Sequence, residues 1–414
     1  MKVILMACKN LISQLKALGG PQPDGELMGK LFLDSMAALS LFNPPPAVTG
    51  PTGIPEEKEV LDLIAELLRE SRPLVFQEIW TRHMPAFVEQ LTIHPPLIYV
   101  AHELLRHDAT SPTLVALFLK FLLQHLDELG NLEQRDAHNY VRLFKITFQG
   151  VTQQPGLNEK VLAPYLPRLV LDSLQLAGRA KRPDTYYILV RGLFRAIGGS
   201  PGRFEHVYKE VLPLLQEMFE TLNRQLALTR PDQKEMRTTI VELCLTIPVR
   251  FTHLVPHLRH LMQPLVHSLS GPADIASQGL RTLELCIDNL QPEFIDPPLK
   301  PVLPTLIRAL NEHLKPLPTP SNLSHTTLRI LGKLGGKNRL LLHEPPQVEY
   351  KTQAEPVVLS LPFGNRKADV QAGPIAKLTT AHLNSTVKEY RDQAFDLAKN
   401  LVMIQIEVRS GADT

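Results

Sequence analysis

From residue 254 the apolar side chains fall at Leu254, Leu258, Leu261, Leu265 and Leu269, and from 299 at Leu299, Leu303, Leu306, Leu310 and Leu314. Steps of three and four residues hold side chains on one face of an α-helix, so both stretches predict helices with a single buried stripe. Val207, Val211, Leu214, Met218 and Leu222 repeat the pattern. Between these lie second stripes: Tyr186, Leu189, Leu193 and Ile197; Met236, Ile240, Leu243 and Ile247; Ala276, Leu280, Leu283, Ile287 and Leu290. The second helices start near Asp184, Asp232, Asp274 and Ser324, residue types that cap helix N-termini. Pro213, Pro264 and Pro304 fall inside the first helices, where a missing N–H and a crowded ring predict bends.

A helix pair recurring roughly every 40 to 50 residues predicts an all-α, HEAT-like helical-repeat solenoid. An ordinary globular helical domain is the alternative, and the phasing of four pairs favours the array. Upstream, 56–70, 74–91, 96–107, 112–130 and 135–148 also read as helices, with weaker periodicity. The stretch "NPPPAVTGPTGIP" at 43–55 is a Pro/Gly-rich loop. The helical pattern breaks again at 344–374, where "PVVLSLPF" and "KADVQA" flank Gly364-Asn365 and predict a small β-hairpin near 355–372. The expected organisation is therefore a helical start and loop over 1–55, repeats over 56–343, an irregular insertion over 344–374 and further solenoid helices over 375–414.

Composition changes the picture mainly by exclusion. The 414 residues are 44% hydrophobic and 21% charged, enough apolar material for a continuous core. Lys plus Arg number 44 against 42 Asp plus Glu, a balance that predicts neither direct nucleic-acid binding nor attraction to anionic membrane. Cys8, Cys244 and Cys286 stand alone in apolar stretches, which argues against a disulfide framework or zinc site and for a reducing compartment. The opening "MKVILMACKN" is interrupted too early for a signal peptide, and no apolar run is long enough for a transmembrane helix.

Several stretches imitate chemical motifs without their context. "LRILGKLGGKNR" (328–339) resembles a phosphate-binding loop, but Gly332 to Gly336 is one residue short and Asn338 takes the Ser/Thr position. It reads as a helix end capped at Gly335-Gly336. "GGSPG" (198–202) fits a nucleophile elbow around Ser200, yet it follows an amphipathic helix and not a strand. In "HELLRH" His102 and His107 are five residues apart and diverge around a helix. His253, His257 and His260 could face one way, but no carboxylate or thiolate completes a metal shell. No catalytic, cofactor or metal residues are assigned, and the absence of "HRD", "DFG" and a Gly-rich loop after a strand argues against a kinase.

The phrases "YYILVRGLFRAIGG" (186–199), "VYKEVLPLL" (207–215), "VELCLTIPVR" (241–250), "SQGLRTLELCIDNLQPEF" (277–294) and "LRILGKLGGKNR" together resemble the N-terminal HEAT region of the TRRAP family. These are very large pseudokinase scaffolds of histone acetyltransferase complexes of the SAGA and TIP60 types. The resemblance is strong over 184–343, weaker over 56–183 and from 375, and poor over 1–55 and 345–372. Family members also carry a longer solenoid, a FAT domain and a kinase-like domain, so the chain reads as a piece of a larger protein or a shortened relative. If it is a piece, apolar faces near residues 56 and 400 are expected to be adhesive.

The resemblance implies a non-catalytic scaffold segment of a transcription co-activator, located in the nucleus. Its implied partners are acetyltransferase complex subunits and activation domains, with no cofactor. Acidic, hydrophobic activation segments call for apolar grooves with basic rims. Charge placement on the loops nominates Arg179, Lys181, Arg182 and Arg203 as such a rim. The alternative is an unrelated HEAT-type adaptor, such as a nuclear transport receptor or a phosphatase scaffold, which periodicity alone does not separate.

Overall fold

The structure is a computed structural model and describes residues 1–41, 55–198, 204–247, 251–314, 322–334, 347–349, 358–363 and 366–410. The chain forms two compact units, Met1–Met218 with Thr246–Val249 and Phe219–Leu245 with Arg250–Thr414. The first holds α1 (Lys2–Ala17), α2 (Gly25–Ser40), α3 (Pro55–Glu70), α4 (Pro73–Ile93), α5 (Ile98–Leu105), α6 (Ser111–Gln124), α7 (Gln134–Gln153), α8 (Pro155–Leu162), α9 (Ser173–Ala177), α10 (Asp184–Gly198) and α11 (Glu205–Val211). The division falls within α12 (Leu215–Leu228).

Alternate helices stack on one another in this first unit. One layer runs α1, α3, α5, α7, α10, and the other α2, α4, α6, α8, α11, each helix packing on the next in its layer. A helix with one apolar stripe must bury it against another element, and two layers sharing a core satisfy every stripe at once. The second layer is joined by aromatic rings: Trp80 on α4 lies 5.4 Å from Phe32 on α2 and 5.5 Å, edge to face, from Phe118 on α6. Trp80, Phe87 and Phe118 are fully buried. Across the first layer Lys2, Lys9 and Lys16 of α1 pair with Glu59, Glu66 and Glu70 of α3, a surface ladder with an apolar seam beneath it. On its other side α1 exposes Val3, Ile4 and Leu11.

The second unit contains α13 (Lys234–Leu245), α14 (Phe251–Leu254), α15 (Leu258–Leu269), α16 (Ala273–Asn289), α17 (Pro292–Leu299), α18 (Leu303–Glu312), α19 (Asn322–Leu334), α20 (Ala372–Leu383) and α21 (Lys388–Ser410). Here α13, α16, α19 and α21 stack in one layer, and α15 packs on α17 and α18 in the other. Glu284 and Asp288 on α16 pair with Arg329 and Lys333 on α19 across the first of these layers.

Strands β1 (Gln347–Glu349), β2 (Val358–Phe363) and β3 (Arg366–Gln371) form an antiparallel sheet in that order. Val358 pairs with Gln371 and Phe363 with Arg366, which sets β2 and β3 around Gly364-Asn365, two residues that themselves lie outside the described ones. Ala368 and Val370 are buried and Asp369 between them is exposed, the alternation of a strand laid on a core. β3 packs on α18, so the sheet continues the layer where a helix would otherwise stand. The pattern of 344–374 anticipates the hairpin but not β1.

Two local expectations are corrected. The stripes expected to be continuous helices are broken at proline: Leu212–Leu214 and Val255–His257 are tight 3₁₀ turns, and α17 ends at Leu299 before α18 starts at Leu303. A proline cannot donate the helical hydrogen bond and crowds the carbonyl four residues back, and a tighter turn relieves both. Pro264 stays in the interior of α15, and Pro304 takes the second position of α18, where no helical donor is required. The four residues chosen as caps also play other roles. Asp184 and Asp274 sit in the first turns of α10 and α16, where their charge complements the helix dipole, and the residue preceding α16 is Pro272. Asp232 meets the Lys234 amide with its main-chain carbonyl and sets its carboxylate 3.8 Å from Arg230, and the Ser324 hydroxyl donates to the His313 carbonyl at 3.0 Å.

Candidate interaction surface

Arg179, Lys181 and Arg182 lie on the loop between α9 and α10, Arg179 and Lys181 exposed and Arg182 half-buried. Arg203 lies outside the described residues. The loop is tied down by its own backbone. The Arg182 amide donates to the Gly130 carbonyl at 3.1 Å, and the Lys181 amide to Asn131 Oδ1 at 3.4 Å. Beneath them the buried Tyr186 hydroxyl donates to the Leu126 carbonyl at 2.8 Å and accepts the Gly130 N–H at 3.1 Å. The basic loop is thus held in register with the turn between α6 and α7, and it exposes Arg179 and Lys181.

Further along α10 a groove of about 310 Å³ opens between α7 and α10. Val141, Ile188 and Ala196 give it an apolar surface over the buried rings of Phe144 and Phe148, and Lys145, Arg191 and Arg195 stand on its edges. Ile188 is 38% exposed, unusual for a side chain so close to the fully buried stripe of Leu189 and Leu193. At Gly192, a lining residue, an added Cβ would meet nothing within 4 Å, so the missing side chain leaves the groove open. Reading the sequence missed these residues. The signal was the doubled spacing Ile188/Gly192 and Arg191/Arg195 on the outward side of "YYILVRGLFRAIGG", which only matters once α7 supplies the facing wall.

The chemical imitations do not come together. Gly332 sits inside α19, and the glycines and bases after Leu334 lie outside the described residues, as do 199–202 of "GGSPG". His102 contacts Glu103 at 3.6 Å while His107 pairs with Arg69. His257 stacks on Phe219 with centroids 5.9 Å apart, and His260 Nε2 accepts from Arg259 at 3.0 Å. Burial, then the Arg259 charge, holds both of these imidazoles below their ordinary pKa. Among the described residues no three His, Cys, Asp or Glu side chains are placed to hold a metal ion, and no helix is long and apolar enough to cross a membrane.

The model of the Tra1 HEAT repeat central region matches residues 1–317, and that of the Tra1 HEAT repeat ring region matches 329–414. The chain belongs to the Tra1/TRRAP family. The Tra1 subunit of the SAGA and NuA4 acetyltransferase complexes of Saccharomyces cerevisiae is 40% identical over 301 residues, 72% of this chain and 8% of its own length. The human transformation/transcription domain-associated protein is 37% identical over 388 residues, 89% of this chain and 10% of its own. Tra1 of Schizosaccharomyces pombe is 35% identical over 408 residues, 97% of this chain and 11% of its own. The chain therefore spans about a tenth of the curated relatives it matches. Where the quoted phrases suggest the N-terminal part of the Tra1/TRRAP array, the matching models describe its central and ring regions. They also take in residues 1–55, which those phrases do not reach.

Proposed function

We propose that this chain is a non-catalytic scaffold segment of a transcription co-activator, nuclear in location, that helps assemble a histone acetyltransferase complex and receives activation domains. Family membership supports the scaffold reading, because the relatives are named as subunits of SAGA and NuA4 acetyltransferase complexes. It also separates the chain from transport receptors and phosphatase scaffolds of similar periodicity.

The observation that carries the binding mode is the groove between α7 and α10, apolar within and edged by Lys145, Arg191 and Arg195. An amphipathic acidic segment would lay its apolar face on Ile188, Val141 and Ala196, over the buried rings of Phe144 and Phe148, and set its carboxylates against the three bases. Arg179, Lys181, Arg182 and Arg203 would extend the positive field along the inter-helix loops and act chiefly on the rate of encounter.

The test is the affinity of a fluorescent acidic amphipathic peptide for the full chain at two salt concentrations. Lys145→Glu with Arg195→Glu should weaken binding at least ten-fold. Reversal of Arg179, Lys181, Arg182 and Arg203 should slow association several-fold. Unchanged binding in both variants would sink the groove and the rim together.

A further inference from the structure

A second groove, of about 530 Å³, lies between α4, α6 and α7 and has the opposite polarity. Three rings stand at its wall. Phe121 and Tyr140 are nearly parallel, 12° apart in plane with centroids 6.2 Å apart. His125 is tilted against both, at 4.7 Å from Phe121 and 5.4 Å from Tyr140. Glu89 and Asp136 line the same groove. Glu128, in the turn after α6, sits with its carboxylate 3.9 Å from His125.

Thr92 and Asn139, which also line the groove, are matched within the fold. Asn139 donates its amide to the Thr92 hydroxyl at 2.8 Å, and the Arg135 guanidinium donates to the Thr92 carbonyl. A guest therefore meets aromatic surface and the carboxylates of Glu89, Asp136 and Glu128, which outnumber the Arg135 charge held at the Thr92 carbonyl. Burial, followed by the charges of Glu128 and Asp136, raises the Tyr140 phenol above its ordinary pKa, as a negative local field requires.

A ring face attracts a cation through its quadrupole when the charge lies within about 6 Å of the centroid, and carboxylates beside the rings add a direct ionic partner. We propose that this groove receives the primary ammonium of a lysine side chain, presented by a basic segment of a partner protein. The carboxylates of Glu89 and Asp136 can accept hydrogen bonds from a bare ammonium, whereas a trimethylammonium has no N–H to give them. The site goes beyond the acidic-segment reading and is independent of it: it lies on other residues and recognises the opposite charge.

The experiment measures fluorescence anisotropy of a labelled Gly/Ser peptide with four spaced lysines against the full chain. The same peptide is also tested with its lysines acetylated and with them trimethylated. Binding of the lysine peptide is expected, with a ten-fold or greater loss on acetylation and a weaker affinity on trimethylation. Phe121→Leu and Tyr140→Leu should each weaken the lysine peptide about five-fold, as loss of one cation–π contact implies. The exposed change Glu89→Gln, which disturbs no packing, should weaken it several-fold at fixed salt. Equal affinity for the acetylated peptide overturns the proposal, as does tighter binding of the trimethylated one. A loss confined to Glu89→Gln, with both ring variants binding normally, also overturns it, because that would be plain charge attraction.

Discussion

Tyr186→Phe removes one oxygen and keeps the ring, so it isolates the polar tie beneath the basic loop. The Tyr186 side chain is 1% exposed, and its hydroxyl satisfies both the Leu126 carbonyl at 2.8 Å and the Gly130 N–H at 3.1 Å. Phenylalanine leaves the Gly130 N–H buried without that partner, while the Leu126 carbonyl keeps the Leu129 amide at 3.3 Å. One unsatisfied buried group costs about 1–3 kcal/mol, so the local loss is about 2 kcal/mol. A chain of two units need not unfold in one step, which makes a single melting curve a poor reporter. Hydrogen exchange at the Gly130 amide reads the tie directly, and about 2 kcal/mol converts to about 30-fold faster opening there. The amides of Lys181 and Arg182, which are tied to the same turn, should lose protection with it. Burial chiefly raises the phenol pKa above 10, so the hydroxyl stays protonated through the neutral range. The difference between wild type and variant should then be constant from about pH 6 to 9 and shrink only as pH rises through the folded-state value. Protection at Gly130 within three-fold of wild type, in a chain otherwise folded, would refute the reasoning.

Three other outcomes are expected. Gly279→Ala would set a Cβ 1.8 Å from Ser268 Oγ and force α15 and α16 apart. A loss of about 2 kcal/mol in urea unfolding is expected, partly restored by adding Ser268→Ala. Cys244 and Cys286 are buried, with their thiols pushed up to about 12, whereas Cys8 is half-exposed. A thiol reagent at pH 8 should therefore modify one cysteine in the folded chain and three after denaturation, as counted by mass spectrometry. His325 stacks on Tyr390 at 4.0 Å and lies 4.2 Å from His382, and burial lowers both imidazole pKa values, with His382 and Arg329 adding to the effect at His325. Because the unfolded chain binds protons more readily at these sites, stability should hold above about pH 7 and fall as pH drops through 6.5. His325→Gln with His382→Gln should flatten that slope in thermal melts at pH 7.5 and 5.5.

What could be read along the chain was whatever depends on local period. The stripe Tyr186, Leu189, Leu193 and Ile197 is buried to 1% exposure or less, as its spacing requires, because a helix turns by a fixed angle per residue and an apolar face must find cover. The turn at Gly364-Asn365 announced a hairpin for the same reason: its chemistry is carried by neighbours in sequence. Tertiary structure decided the rest, where the partner is distant. Glu159 on α8 accepts the His206 amide at 2.5 Å and the Val207 amide at 3.2 Å, capping α11 from another helix, which no inspection of residues 200–210 reveals. The two grooves likewise depend on which helices become neighbours. Outward-facing positions such as Ile188, Lys145, Phe121 and Glu89 follow no period of their own, since solvent imposes none. They acquire a surface chemistry only when stacking in alternate layers sets α10 against α7, and α7 against α4 and α6.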